Sequence, residues 1–123
     1  MSRQALLLFA HGARDPRWAR PFEALARRLR LARPGLPVSL AYLELMSPRL
    51  PQAVAELAAQ GCTDISIVPV FLGQGGHVLR DLPALLEQVR TAHPGVTLKL
   101  ADAVGESEAV QAAMAAYCLS SLE

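Results

Sequence analysis

Lysine is almost missing from this chain: of twelve basic residues eleven are arginine and only Lys99 is lysine. Cysteine is scarce too, with Cys62 and Cys118 far apart and no CxxC pair. That excludes a cysteine-built metal site and fits two reduced thiols of a cytosolic protein. No apolar run approaches the roughly 20 residues that a membrane helix needs. A secretory leader is not expected, because charge and histidine interrupt the opening residues by Arg14. A soluble, cytoplasmic location follows as the expectation. The net charge of +1 argues against a protein that coats nucleic acid. Several catalytic signatures are absent as well. Without GxxxxGK[ST] the chain should not use ATP in the P-loop manner, and no HExxH or GxSxG is present. The GQGGH stretch lacks GxGxxG, so no nucleotide cofactor is expected.

What is present is an ordinary globular composition, 52% hydrophobic and 19% charged over 123 residues. This suits one domain spanning residues 1–123, with a single core. Arg14, Arg17, Arg20, Arg27, Arg28, Arg30 and Arg33 crowd one early stretch. Arginine forks grip carboxylates or phosphates bidentately, where lysine acts as a point charge. The same residues also fit a solvated helix face, and both readings stand at this point.

Four apolar runs alternate with four segments of helical spacing. The runs are Ala5–Ala10, Val38–Leu43, Ile65–Leu72 and Val96–Ala101, nearly continuous, as in strands covered on both faces. The first helix is expected from Pro16, with Asp15 as its cap, to the Pro34-Gly35 stop; Pro21 should kink it. The second is expected from Pro48 to Gln60, capped by Ser47 and ended by Gly61. The third should cover Leu79 to Ala92, and the fourth Glu106 to Leu119. The order β-α-β-α-β-α-β-α predicts an α/β fold, a four-stranded parallel sheet with helices on both faces.

In such a sheet, ligands bind beyond the carboxyl ends of the strands. Three groups fall there. His11 ends the first run in LLLFAHGARDP (6–16), before Gly12, which permits close backbone approach. Glu44 closes VSLAYLE (38–44), and His77 follows the glycines of GQGG (73–76) in ISIVPVFLGQGGHVLRDLP (65–83). Two imidazoles and one carboxylate suit a first-row divalent ion such as Co²⁺, Ni²⁺, Fe²⁺ or Zn²⁺ better than Mg²⁺. The glycines alone would equally make a tight turn or an anion-binding loop. His93, in the AHPG turn (92–95), belongs to the opposite edge and to turn chemistry.

HGARDPRW (11–18), AYLE (41–44) and IVPVFLGQGGHVLRDLP (67–83) together resemble the short CbiX-type sirohydrochlorin chelatases, over nearly the whole chain. The third block, with its P-x-F-L-x-x-G-x-H-x-x-x-D-L-P pattern, is the most specific. The resemblance implies the chelatase fold and a homodimer whose cleft holds the tetrapyrrole. It implies ATP-independent insertion of Co²⁺ into sirohydrochlorin on a route to cobalamin, a metal-inserting lyase reaction. It makes His11 and His77 the metal-binding histidines and Glu44 the acidic residue that completes the catalytic set. Arg14, Gly75, Gly76 and Arg80 are then candidates for contact with the substrate and its acidic rim, with Arg17 a further one. Ala13 stands where the family's HGSRDP-like opening commonly has serine, which removes one hydroxyl from this loop.

Other readings compete. The same fold could insert Fe²⁺ or Ni²⁺, since metal choice follows availability as much as ligand type. A metal carrier would bind ions through His11 and His77 without ring chemistry. A small anion-binding module would use the GQGG loop and would survive loss of both histidines. A dimer is expected on physical grounds too, because a tetrapyrrole disc is wide beside one edge of four strands.

Overall fold

The apolar runs pair as strands because their residues alternate between two buried faces. The computed structural model describes residues 3–73 and 76–122, the side chains of residues 76–80 lying outside that description. Strands β1 (Gln4–Ala10), β2 (Val38–Tyr42), β3 (Asp64–Pro69) and β4 (Thr97–Leu100) form one parallel sheet in the order β2-β1-β3-β4. Helices α1 (Arg20–Ala32), α2 (Leu50–Ala59), α3 (Gly76–Ala92) and α4 (Glu108–Ser120) follow the strands in turn.

Central β1 shows why the run is continuous. Ala5, Leu7 and Phe9 enter the main core with Leu50, Val54 and Leu57 of α2, and Leu82, Leu86 and Val89 of α3. Leu8 faces the other way, against Ala26 of α1 and Val38. A strand buried on both sides has no polar face to write into its sequence. The first crossover steps from β1 to β2, and the second runs back past β1 to β3. With crossovers of one hand, that reversal puts α1 on one face and α2 with α3 on the other. The crevice between β1 and β3, where the connections part, is the switch point at which α/β sheets bind ligands.

Several boundaries differ from the sequence expectation. Pro21 does not kink a long helix. Pro16–Ala19 form a separate 3₁₀ turn, capped by Asp15, whose carboxylate accepts the Arg17 N–H at 2.9 Å. Pro21 then falls in the first turn of α1, where its missing N–H costs nothing. Helix α2 begins at Leu50 and not at Pro48, and Ser47 does not cap it. The Tyr42 N–H takes the Pro48 carbonyl at 2.9 Å, which holds Pro48-Arg49 in an extended path alongside the end of β2. Strand β3 stops at Pro69, short of Leu72, because the Phe71 carbonyl is taken by the Gly105 N–H at 2.8 Å. Helix α3 starts at Gly76, a turn earlier than expected. Glu106 belongs to a 3₁₀ turn, Val104–Glu106, so α4 opens two residues later.

Helix α4 departs furthest. None of its 13 residues is buried, so it does not cover the sheet as α1, α2 and α3 do.

Candidate metal centre

The ladder between β1 and β2 continues past both strands. Leu43 N–H donates to the Ala10 carbonyl at 2.9 Å and Glu44 N–H to the His11 carbonyl at 3.1 Å. Two residues 33 positions apart are thereby drawn together, with His11 Nε2 and Glu44 Oε1 3.1 Å from one another. Both side chains are close to half exposed, 46% and 43%, so water or an ion reaches them. Gly12 makes this possible. Its φ is +100°, and a Cβ there would lie 1.8 Å from the Glu44 carbonyl oxygen. No other residue fits, since the angle is unfavourable and the space is filled.

Phe71 supports the imidazole from the β3 side. Its ring meets that of His11 edge-on, 6.4 Å between centroids and 67° between planes, and itself packs at 6.0 Å on buried Phe9. The histidine therefore has a carboxylate on one side and an aromatic wall on another. Donors 3.1 Å apart match the edge of an octahedral site, where metal–donor distances of about 2.1 Å give a separation of about 3 Å. The pair can hold one divalent ion between nitrogen and oxygen. Without the ion it forms a hydrogen bond that keeps the ring oriented.

The other sequence candidates divide. His77 is the second residue of α3, which follows β3 at the same sheet edge; its side chain lies outside the described residues, as does that of Arg80. Gly75 is outside them as well, and Gly76 opens α3. Among the described residues no group of three His, Cys, Asp or Glu is placed to hold a metal. Arg14 is exposed in the loop after Gly12. Arg17 is engaged locally, its guanidinium donating to Asp15 at 2.7 Å. The Arg17 side chain, helped by its backbone N–H, holds the Asp15 carboxyl below the ordinary value of 3.8. His93 sits at the opposite edge, closing the turn from α3 to β4 with its N–H on the Val89 carbonyl.

Two features escaped sequence reasoning. One is Phe71, present in the third sequence block but with no local sign that it meets His11. The other is Leu45, which has φ of +68°. That region is uncommon for any residue with a Cβ and tends to persist where function requires it.

A parallel α/β sheet with a histidine–carboxylate pair at the carboxyl ends of β1 and β2, beside its switch point, defines an α/β protein with a candidate metal centre. The chain belongs to the CbiX family, whose family model matches residues 5–118. It is 36% identical over 90 residues to the sirohydrochlorin cobaltochelatase of Methanocaldococcus jannaschii, covering 73% of this chain and 63% of that one. The chain thus spans less than two thirds of that relative. The fold resembles the crystal structure of a putative cobalamin biosynthesis CbiX protein from Marinobacter aquaeolei, with TM-score 0.85, 33% identity and 97% of each chain covered. It also resembles the sirohydrochlorin chelatase SirB of Bacillus subtilis in complex with cobalt. There the TM-score is 0.71 and the identity 26%, covering 86% of this chain and 45% of SirB. SirB is likewise described with Fe³⁺, at TM-score 0.74.

Proposed function

We propose that this protein is a sirohydrochlorin cobaltochelatase, inserting Co²⁺ into sirohydrochlorin without ATP on a route to cobalamin. The observation that carries the reading is the His11–Glu44 pair, 3.1 Å apart at the carboxyl edge of the sheet. Insertion exchanges one divalent ion for two pyrrole N–H protons, so the site must hold a metal loosely and take up protons. Neutral imidazole serves the first need and carboxylate the second. In this reading His11 and His77 present the ion. Glu44 accepts one of the two pyrrole protons, and a histidine accepts the other as it gives up the metal. Arg14 and Arg80 pair with the acetates and propionates of the substrate rim, and Gly75 and Gly76 let the loop backbone approach the ring. The Fe³⁺ in SirB favours Fe²⁺ insertion as the second reading.

The chain, one lobe by this reading, works as a homodimer in a reducing cytoplasm. Two observations support the dimer. Helix α4 buries none of its residues, and Tyr117, Leu119 and the following Leu122 are 77%, 67% and 81% exposed. An apolar helix of this length is marginal in water without packing. The chain also covers 45% of SirB, leaving length there for a second lobe of similar size, which a second copy supplies here. Free Cys62 and Cys118 agree with the compartment.

The test is anaerobic spectrophotometry with sirohydrochlorin and Co²⁺, Ni²⁺ or Fe²⁺ in turn, for the wild type and a His11→Ala/His77→Ala double variant. Acceleration over the metal-only background that disappears in the variant is the expected result. A folded wild type that accelerates insertion of none of the three ions overturns the reading.

A further inference from the structure

Two leucines stand in water at the edge of the sheet that carries the His11–Glu44 pair. Leu45 is 54% exposed and Leu72 is 71% exposed. Neither is on a loose tail. Leu45 follows Glu44, whose carbonyl is pressed against Gly12 so closely that a Cβ on Gly12 would overlap it. Its own backbone adopts the left-handed conformation at φ +68°. Leu72 is held from below: a Cβ on Gly105 would lie 1.8 Å from the Leu72 carbonyl oxygen and 2.4 Å from its Cα. The adjoining Phe71 carbonyl accepts the Gly105 N–H. The fold thus uses two close glycine contacts to fix the backbone at two residues whose apolar side chains it leaves unburied.

Their placement on the sheet gives this a direction. Leu45 leaves β2 and Leu72 leaves β3, the two strands that flank β1. His11 follows the end of β1, between them. Neighbouring strands lie about 4.8 Å apart, so the two exits are separated by about 10 Å, a span comparable to a tetrapyrrole core. An apolar residue on either side of a metal-binding histidine suits a ligand with a broad apolar face and metal-binding atoms at its centre. A bare anion or a hydrated ion would gain nothing from either leucine. Backbone held in an unfavourable conformation at such a place points to function.

We infer that Leu45 and Leu72 contact the macrocycle of the substrate from either side of His11 and centre its ring nitrogens on the metal-holding pair. The inference rests on the reading of the protein as a tetrapyrrole chelatase. It assigns the two leucines to macrocycle binding and leaves ion binding to the polar groups.

The experiment is a titration of the full chain with sirohydrochlorin in the absence of metal, followed by absorbance. It compares the wild type with Leu45→Asn, Leu72→Asn and the double variant, with Leu45→Ala and Leu72→Ala as apolar truncations. Co²⁺ binding and Tm are measured on the same samples. Each single variant should weaken sirohydrochlorin binding about tenfold, the loss that follows from forgoing the burial of a leucine side chain. Co²⁺ affinity should stay within about twofold, because neither leucine carries a donor atom. The Tm of Leu45→Asn should match or exceed that of the wild type, since asparagine adopts positive φ more readily than leucine. A double variant that binds sirohydrochlorin as tightly as the wild type overturns the inference while leaving the chelatase reading intact. So does a loss of affinity matched by falls in Tm and in Co²⁺ binding, which would mark these as folding positions. A wild type that binds no sirohydrochlorin overturns both.

Discussion

Replacing Gly12 by alanine separates what the site needs from what the fold alone requires, because the structure supplies its own control. Gly12 and Gly61 both have positive φ, +100° and +90°. At Gly61 the nearest atom to an added Cβ is the end of the Arg3 side chain at 3.7 Å, an ordinary contact. Gly61→Ala therefore carries the conformational cost alone, roughly 1–2 kcal/mol. The lower entropy of the unfolded alanine chain offsets roughly 0.4–1 kcal/mol of it, leaving about 1 kcal/mol. At Gly12 the Cβ would meet the Glu44 carbonyl oxygen at 1.8 Å. Backbone on one side or the other must then move by more than an ångström, and overpacking of this kind adds about 1–3 kcal/mol. Gly12→Ala should thus destabilise by about 3 kcal/mol. In a chain of this size that corresponds to a fall in Tm of about 12 °C, against about 4 °C for Gly61→Ala. The displaced residue is Glu44, whose carboxylate is 3.1 Å from His11. Co²⁺ affinity should therefore drop about 10- to 100-fold in Gly12→Ala, as when a partner that orients a metal ligand is lost, and stay unchanged in Gly61→Ala. Calorimetric melting and isothermal titration with Co²⁺ on both variants measure this. Equal Tm losses with equal metal affinity would refute the argument that the close approach of Gly12 to Glu44 builds the site.

Three further outcomes are expected. Phe71→Ala removes a half-buried ring that packs on Phe9 and His11; it should cost about 2 kcal/mol in urea denaturation, and a variant as stable and as active as the wild type would show that the ring supports nothing. Placing aspartate at both Tyr117 and Leu119, 77% and 67% exposed, should convert the proposed dimer to monomer in light scattering without lowering the helix content, whereas a dimeric mass unchanged by the two charges would remove α4 from the proposed interface. Asp15 titrates below its ordinary value because of Arg17, so its contribution to stability is whole above pH 3.8 and is lost as the pH falls through the lowered value; the Tm gap between the wild type and Asp15→Ala, clear at neutral pH, should narrow in strong acid, and a gap independent of pH would contradict the ion pair.

Much of the architecture was legible in local patterns. Continuous apolar runs marked the strands, and helical spacing with Pro and Gly stops marked the helices. The Asp15-Pro16 start was visible because capping depends on neighbours two residues away, and the structure keeps that hydrogen bond. Parallel strands at this spacing implied that His11 and Glu44 share one sheet edge, and they do. Less visible were boundaries set by partners far along the chain. Helix α2 starts late because Tyr42 holds the Pro48 carbonyl, and β3 ends early because Gly105 takes the Phe71 carbonyl.

The sequence by itself determined toward which end of the sheet His11 and Glu44 lie, because strand direction and alternation are properties of short windows. Only the tertiary structure decided that β1 lies between β2 and β3, and with that the contacts of His11 with Glu44 on one side and Phe71 on the other. It also decided that Gly12 is required by a carbonyl 32 residues away, that Leu45 takes a left-handed turn, and that α4 leaves its own sheet uncovered. Those are outcomes of strand order and close packing between distant segments, and no window short enough to show a helix or a strand contains both partners.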